Sequence, residues 1–224
     1  MSLTTDEIQN AIEAITSKGQ NPTQAKIRAY LGRGSYTTIN EVLKAWRPKN
    51  NNTIDTQPID AQEILHLYGI GERDFSGVDL TNGVLKSANL SIIDLSNSFL
   101  SNAILDQSNL RGANLKQVNL SYASLKGADL SGADLRNSDL SSIDLSNAIL
   151  IGADLRGTNL IKANLNNADL RGARLNNAKL NESLLEKADL RTADLSSVNL
   201  SKANLAYSTK VKMIINSVPW QNFR

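Results

Sequence analysis

The sequence contains no cysteine and a single histidine, His66, among its 224 residues. Without cysteine there is no disulfide framework, no thiolate metal site and no thiol nucleophile. One histidine also removes nearly every catalytic or metal triad that is built on imidazole. No apolar run reaches the roughly 18 residues of a membrane span, and the start of the chain is polar. We therefore expect no membrane segment and take the cytoplasm as the expected compartment.

The chain also lacks a charge of one dominant sign and the short motifs of common enzymes. Lys and Arg total 24 against 22 Asp and Glu, so the net charge of +2 favours neither nucleic acid nor an acidic partner. Phosphate loops, HExxH and GxSxG are absent. We predict no catalytic residue, no metal site, no cofactor and no enzymatic activity.

What the sequence does contain is a strict period of five. From Phe75 to Leu205 every fifth residue is Leu, apart from Phe75 itself, over 27 consecutive positions. The residue two places before each Leu is small or β-branched and never charged, and the residue directly before it is usually Asp or Asn. Such a self-similar pattern is the signature of a repeat architecture.

A period of five matches neither the 3.6 residues of a helical turn nor the two-residue alternation of a strand. The backbone must therefore turn once in each repeat, which suits the turn-forming Asp, Asn and Gly around each Leu. Coils of this kind bury their Leu side chains only by stacking on one another. The period predicts a solenoid with the leucines on a common inner axis.

Segments such as ADLRG, ANLKQ and ADLSG resemble the pentapeptide repeat family, A(D/N)LXX. The resemblance implies a mainly β fold, a right-handed quadrilateral parallel β-helix with four pentapeptides to a coil. With 27 repeats the rod over residues 72–208 would be about 32 Å long.

The flanks of the repeats are suited to cover the ends of such a rod, where strand edges are unpaired. Residues 58–71 combine a helical apolar spacing with terminal glycines and predict an N-terminal capping helix that carries His66, interpreted as a packed or solvated side chain. Residues 209–224 are rich in large apolar side chains and predict a C-terminal cap. A homodimer contact through that end is the alternative.

The first 50 residues lack the period and predict a separate small domain of three helices. Thr4 and Glu7 match a capping box, and Ile8, Ile12 and Ile15 share one helical face. A second helix is expected up to Leu31 and a third over 35–47, joined by a short glycine turn, which is typical of a helix-turn-helix. Ile39, Val42, Leu43 and Trp46 would face the core of this domain.

The run NPTQAKIRAYLGRGSYTTINEVLKAWR resembles the DNA-binding N-terminal domain of KfrA-type plasmid proteins. This resemblance implies DNA binding through residues 1–50, with the start of the third helix in the major groove. Against it, Glu41 on the outward face would repel phosphate, so a protein-docking domain is the alternative. The candidate DNA-binding residues are Lys26, Arg28, Arg33, Ser35, Thr37, Asn40, Lys44 and Arg47.

A polar linker over residues 51–57 separates this domain from the capping helix. Between residues 51 and 74 there are five acidic residues and one Arg. We interpret this acidic strip as solvated. Attraction of the basic N-terminal domain in the absence of nucleic acid is the alternative.

Outward positions of the rod carry two kinds of unusual residue. Lys116, Arg136 and Arg156 would stack in one column, but neighbouring Asp residues cancel their charge. Apolar residues in the first two coils are expected to lie under the preceding helices: Val84, Ile92, Phe99 and Ile104. Mid-rod residues without such a cover are the candidate contact with a protein partner: Ile149, Ile151 and Ile161.

Three functions follow from these observations. The first is a non-enzymatic scaffold, in which a rigid rod binds a protein partner and the N-terminal domain binds DNA. The second is a protein-interaction scaffold without DNA binding. The third, a DNA-mimicking gyrase modulator, is implied by part of the repeat family but needs a strongly negative rod, whereas residues 75–208 hold 13 acidic and 13 basic side chains.

Overall fold

The computed structural model describes residues 3–18, 22, 24–32, 34, 38–39, 41–42 and 61–209. Three helices are described over their whole length: α1 (Thr5–Thr16), α2 (Gln24–Leu31) and α3 (Ala61–Gly69). Within these described ranges no helix has the length and apolarity of a membrane span. The predicted linker at 51–57 and all of the predicted C-terminal cap except Thr209 lie outside them.

Helix α1 begins at the capping box that the sequence predicts. The hydroxyl of Thr4 accepts a hydrogen bond from the backbone N–H of Glu7 (3.3 Å), and the backbone N–H of Thr4 donates to Oε2 of Glu7 (2.9 Å). These bonds satisfy donors that a helix start leaves free. The apolar face is buried as predicted, with Ile8, Ile12 and Ile15 at most 4% exposed.

Helix α2 packs on α1 and ends at Leu31, and the next residue, Gly32, has a φ of 65° that favours glycine. The two helices share a small core with Ile39 and Val42, which are buried as predicted. Most of the predicted third helix over 35–47, including Leu43 and Trp46, lies outside the described residues.

Helix α3 packs against the first coils of the rod. Ile64 is fully buried in the same cluster as the leucines, and Leu65, Leu67 and Tyr68 pack around it. The hydroxyl of Tyr68 donates to the carbonyl of Ser91 (2.8 Å). His66 is exposed, which agrees with the solvated interpretation.

From residue 74 to residue 209 the chain forms stacked coils joined by single-residue parallel bridges. Each bridge joins residues 20 apart, from Asp74 with Asp94 to Asp189 with Thr209. The amide of each Leu up to Leu185 donates to a carbonyl of the next coil, as in Leu130 to Ile149 (2.7 Å). A register of 20 means four pentapeptides per coil, the number that the family resemblance implied.

Every pentapeptide turns at the same place. The amide of Ala133 donates to the carbonyl of Leu130 (3.0 Å), and this turn bond recurs along the rod. The residue two places after each Leu has positive φ; seven of these 27 residues are Gly and 20 are not. Asp and Asn before the Leu support the turn, as when Oδ1 of Asp129 accepts from the amide of Ser131 (2.9 Å).

The leucine column is the core of the rod. Of its 27 positions 26 are buried, and Leu195, in the last described coil, is partly buried. The small residues two places earlier are buried as well, apart from Gly83. The predicted inner axis is thereby confirmed, and the side chains on either side of each Leu are placed at the surface.

Candidate nucleic-acid interface and rod surface

The structure describes the side chain of one of the eight candidate DNA-binding residues, Arg28. Its position on α2 places it on the first helix of the predicted helix-turn-helix. The exposed Glu41 confirms that a carboxylate lies on the outward side of the domain. The other side chains lie outside the described residues: Lys26, Arg33, Ser35, Thr37, Asn40, Lys44 and Arg47.

Arg28 binds the rod. Its Nη2 lies 3.1 Å from Oε1 of Glu72, and its Nη1 lies 3.6 Å from Oδ2 of Asp74 and donates to the backbone carbonyl of Asp74. Only 16% of the Arg28 side chain is exposed. Arg28, which the sequence predicts to bind phosphate, is thus paired with two carboxylates in the structure.

The sequence interpretation missed Glu72 and Asp74 as binding residues. Both belong to the acidic strip, which we interpreted as solvated; the structure instead supports the alternative, in which the strip attracts the N-terminal domain. The available signal was the opposite charge of the two segments. Charge alone did not specify which Arg would reach which carboxylate, because that depends on how α2 is placed beside the first coil.

The stacked basic column of the rod is neutralised by neighbouring carboxylates, as predicted. Oδ2 of Asp134 lies 3.2 Å from Nζ of Lys116 and 2.8 Å from Nη2 of Arg136. Arg156 pairs with Asp154 at 2.6 Å. These pairs leave no row of unpaired cations among the described members of this column, so the column is not a phosphate track.

The same contacts lower the pKa of the carboxyl groups. Partial burial raises the pKa of Asp134, but hydrogen bonds from Arg136 and Lys116 outweigh it and lower that pKa to about 2. The Arg191 guanidinium, bonded to both oxygens of Asp189, lowers the pKa of Asp189 to about 2. These carboxylates are held ionised by ion pairs rather than poised to exchange protons near neutral pH.

The prediction that helices cover the outward apolar residues of the first coils is wrong. These side chains are between 39% and 65% exposed. The reason is that α3 packs against the core cluster through Ile64 and leaves the sides of the coils open. The residues concerned are Val84, Ile92, Phe99 and Ile104.

The candidate partner contact is divided between two faces. Ile149 and Ile151 flank Leu150 in one pentapeptide and are 37% and 38% exposed. Ile161 belongs to the pentapeptide two places later and is half-buried. With four pentapeptides per coil, pentapeptides that are two places apart lie on opposite sides of the rod. A flat partner surface therefore reaches Ile149 and Ile151 but not Ile161.

The rest of the described surface offers no metal-binding arrangement. Within the described ranges, no group of three or more His, Asp or Glu side chains is placed to hold a metal ion. The carboxylates are instead spread along the coils as turn residues and ion-pair partners.

Comparison with known families gives two matches that together span most of the chain. The model described as pentapeptide repeats matches residues 74–112, 100–137, 138–177 and 173–206. The model described as the DNA-binding N-terminal region of plasmid replication proteins matches residues 4–65. The two matches fall on the coils and on the helical segments respectively.

Individual relatives are similar over shorter stretches. An uncharacterized 23.2 kDa protein of Shigella flexneri is 32% identical over 74 residues, which are 32% of this chain and 34% of that protein. The chain thus spans about a third of the length of the curated relative.

Solved structures with similar coils come from cyanobacteria and from a resistance plasmid. A pentapeptide repeat protein of Cyanothece 51142 is 33% identical, with a TM-score of 0.33, over 49% of this chain and 62% of that one. HetL, a pentapeptide repeat protein involved in heterocyst differentiation in Nostoc sp. strain PCC 7120, is 26% identical, with a TM-score of 0.35, over 71% and 99%. QnrB1, a plasmid-mediated fluoroquinolone resistance protein, is 19% identical, with a TM-score of 0.34, over 65% and 83%.

Proposed function

The chain belongs to the pentapeptide repeat family, and from that premise we propose that it is a non-enzymatic scaffold whose rod binds a protein partner while its N-terminal domain binds DNA. One observation carries the DNA-binding half of the proposal. Residues 4–65 match a DNA-binding family model and directly precede the uninterrupted repeats. A domain that holds DNA and a rod that holds a protein would bring the two together.

The composition of the N-terminal domain supports contact with a polyanion. Residues 1–50 carry seven basic and four acidic side chains, although the chain as a whole is nearly neutral. We assign base contacts to Thr37 and Asn40, at the start of the predicted recognition helix. Contacts with phosphate are assigned to basic residues of the second and third predicted helices: Lys26, Arg28, Arg33, Lys44 and Arg47.

The rod supports the scaffold half of the proposal through its stiffness and its surface. Consecutive coils are joined by backbone hydrogen bonds of 2.7 to 3.3 Å along their length. Such a body presents side chains at fixed spacings and loses little conformational entropy when a partner binds. We place the partner contact at Ile149 and Ile151, and we assign Ile161 to a separate contact on the opposite face.

The binding of Arg28 to the rod favours a second candidate, a scaffold for proteins alone. In that case the N-terminal helices have kept the fold of a DNA-binding domain but serve as a docking element against the first coil. The exposed Glu41 also fits this function, because a carboxylate on the outward face repels phosphate.

DNA mimicry ranks last because the rod is electrically balanced. The 13 acidic and 13 basic side chains of residues 75–208 do not reproduce the charge of a duplex. A gyrase supercoiling assay with the purified chain tests this function directly, and we expect no inhibition or protection.

The decisive experiment is a mobility shift of a fluorescein-labelled duplex of mixed sequence by the full chain at several salt concentrations. We expect retardation that weakens as salt rises. Lys44→Ala/Arg47→Ala should reduce the slope of log K against log salt by about 2, since each phosphate contact contributes about 0.9. The charge-matched control Lys162→Ala/Lys202→Ala, on the rod, should leave the slope unchanged. No retardation even at the lowest salt would contradict DNA binding and favour the protein-only scaffold.

A further inference from the structure

The contact between α2 and the first coil joins residues far apart in the chain. Arg28 reaches across 44 and 46 positions to Glu72 and Asp74, which we call the acidic edge. One guanidinium nitrogen faces the Glu72 carboxylate, and the other faces both the carboxylate and the carbonyl of Asp74. This two-pronged arrangement uses the planar fork of arginine, which a single point charge would not need.

The acidic edge is part of the rod rather than a loose loop. Oε1 of Glu72 also accepts hydrogen bonds from the amides of Arg73 (2.8 Å) and Asp74 (3.0 Å), and the amide of Glu72 donates to the carbonyl of Leu67 (3.0 Å). Oδ1 of Asp74 accepts from the amide of Ser76 (3.1 Å). Backbone amides of the rod therefore help to orient both carboxylates in the docked arrangement.

The side chain of Arg73 strengthens this support. Its guanidinium lies 3.8 Å from the centre of the Tyr68 ring, and its Nη1 donates to the carbonyl of Tyr68 (2.8 Å). The Tyr68 hydroxyl is bonded to Ser91, so α3, the acidic edge and the end of the first coil are linked together. Arg28 thus docks α2 on a part of the rod that is held by several contacts of its own.

A guanidinium that is occupied by two carboxylates cannot make the same bonds to a phosphate. We propose that Arg28 and the acidic edge form an intramolecular latch, in which the rod competes with DNA phosphate for the N-terminal domain. This inference rests on the proposed DNA binding. It adds that the rod holds the domain in a docked state whose release accompanies the binding of DNA.

The latch has two consequences for affinity. DNA binds only the fraction of molecules in which Arg28 is released, so the apparent Kd exceeds the intrinsic Kd by the inverse of that fraction. Linkage also works in the other direction, because a protein that covers the acidic edge displaces Arg28 and makes DNA binding tighter. The rod would then transmit occupancy at its first coil to the DNA-binding domain.

The test opens the latch with isosteric changes. Glu72→Gln/Asp74→Asn removes two charges and keeps the oxygens that accept from Arg73 and Ser76, so the first coil is expected to fold as before. The matched control is Asp79→Asn/Asp94→Asn, which removes one charge from the first coil and one from the second. Asp79 accepts a hydrogen bond from the amide of Thr81, and Asp94 accepts from Ser96 and Asn114, all within the rod. Thermal unfolding of all proteins checks that they are folded.

Two measurements are then made on each variant. Because the chain has no cysteine, spin labels at Glu13→Cys on α1 and Lys86→Cys on the rod report the docking of the domain by electron–electron distance. We expect a narrow distance distribution in the parent and the control, and a broad one in the opened variant and in the parent with excess duplex. The mixed-sequence duplex should bind the opened variant about 3- to 10-fold more tightly than the control, a range set by the modest strength of partly exposed ion pairs.

The outcomes separate the latch from the function on which it rests. Equal affinity for duplex in the opened variant and the control would overturn the competition, even if both bind DNA. A distance distribution that stays narrow in the opened variant would overturn the latch itself. If neither the parent nor any variant binds duplex at any salt concentration, the proposed DNA binding fails, and the competition with the rod fails with it. In that case the spin-label distances alone decide whether Arg28 docks the domain.

Discussion

The residue two places after each Leu, called the corner residue below, has a left-handed backbone conformation in every pentapeptide of the rod. All 27 of these residues have positive φ, and glycine occupies only seven of the positions. Asn tolerates this region because its short side chain bonds nearby backbone, whereas a β-branched residue is strained there. The repeat therefore accepts strain at single residues, since the bonds between coils hold the turn in place.

Ile92 is the clearest example, with a φ of 54° and a side chain that is 65% exposed. Replacing it by Asn should relieve part of the left-handed penalty and raise the free energy of unfolding by about 0.5 to 1 kcal/mol. Urea unfolding measures this change. The reverse substitution at an equivalent corner, Asn97→Ile, should destabilise by a similar amount. A lower urea midpoint for Ile92→Asn would contradict the interpretation.

Asp134 and Asp189 make the stability of the rod depend on acid. Their pKa values fall from 3.8 to about 2 in the folded state, so their contribution is complete above about pH 4 and is lost as pH falls through about 2. Asp134→Asn/Asp189→Asn should lower the Tm by a few degrees at pH 7 and have a Tm close to that of the parent at pH 2. Thermal unfolding of the parent and the variant between pH 2 and pH 7 measures this difference in Tm. A Tm difference that stays constant down to pH 2 would contradict these ion pairs as its source.

Among the structural elements, the leucine column stabilises the coils. Leu130 is fully buried in the middle of the rod, with a Leu one coil above and one below. Burial of a Leu side chain is worth roughly 1.5 to 3 kcal/mol, and its removal also leaves a cavity between coils that are held by hydrogen bonds.

Leu130→Ala should therefore lower the free energy of unfolding by about 2 to 5 kcal/mol. The matched control is Leu184→Ala, because Leu184 lies outside the column and is 42% exposed. Its substitution should cost less than about 1 kcal/mol. Chemical unfolding measures both changes, and equal losses in the two variants would argue against an inner leucine column.

The coils were predictable because a five-residue period leaves few arrangements that bury every Leu. The capping box of α1 and its buried face were predictable for a similar reason, since both depend on neighbours three or four residues apart. The number of pentapeptides in a coil did not follow from the period. It came from the family resemblance, and the 20-residue register of the bridges agrees with it.

The contacts between elements were not predictable from the sequence. The pattern identifies Val84 and Phe99 as outward-facing, but it does not indicate whether a helix packs on them, and α3 does not. Likewise, Arg28 has the spacing and charge of a phosphate contact, yet its partner depends on the placement of α2 beside the rod. Such pairings are long-range and depend on geometry that no local pattern encodes.

At the scale of the whole molecule, the chain combines a compact helical domain and a solenoid that touch through Arg28. The two parts have separate cores, one around Ile12 and Ile27 and the other along the leucine column. Stability and function are thus divided between them. The rod supplies a regular framework of stacked coils, and the domain contacts it through Arg28.

Every placement on the rod surface rests on the register of four pentapeptides per coil, and paired cysteines test that register most directly. The hydroxyl oxygens of Ser101 and Ser121 lie 3.2 Å apart on adjacent coils, a separation suited to a disulfide after substitution. In a chain without cysteine, Ser101→Cys/Ser121→Cys should cross-link rapidly under mild oxidation. Ser101→Cys/Lys116→Cys places its two cysteines on different faces of the rod, and this pair should not cross-link. Rapid cross-linking of the second pair, or none in the first, would contradict the stacked four-repeat coil.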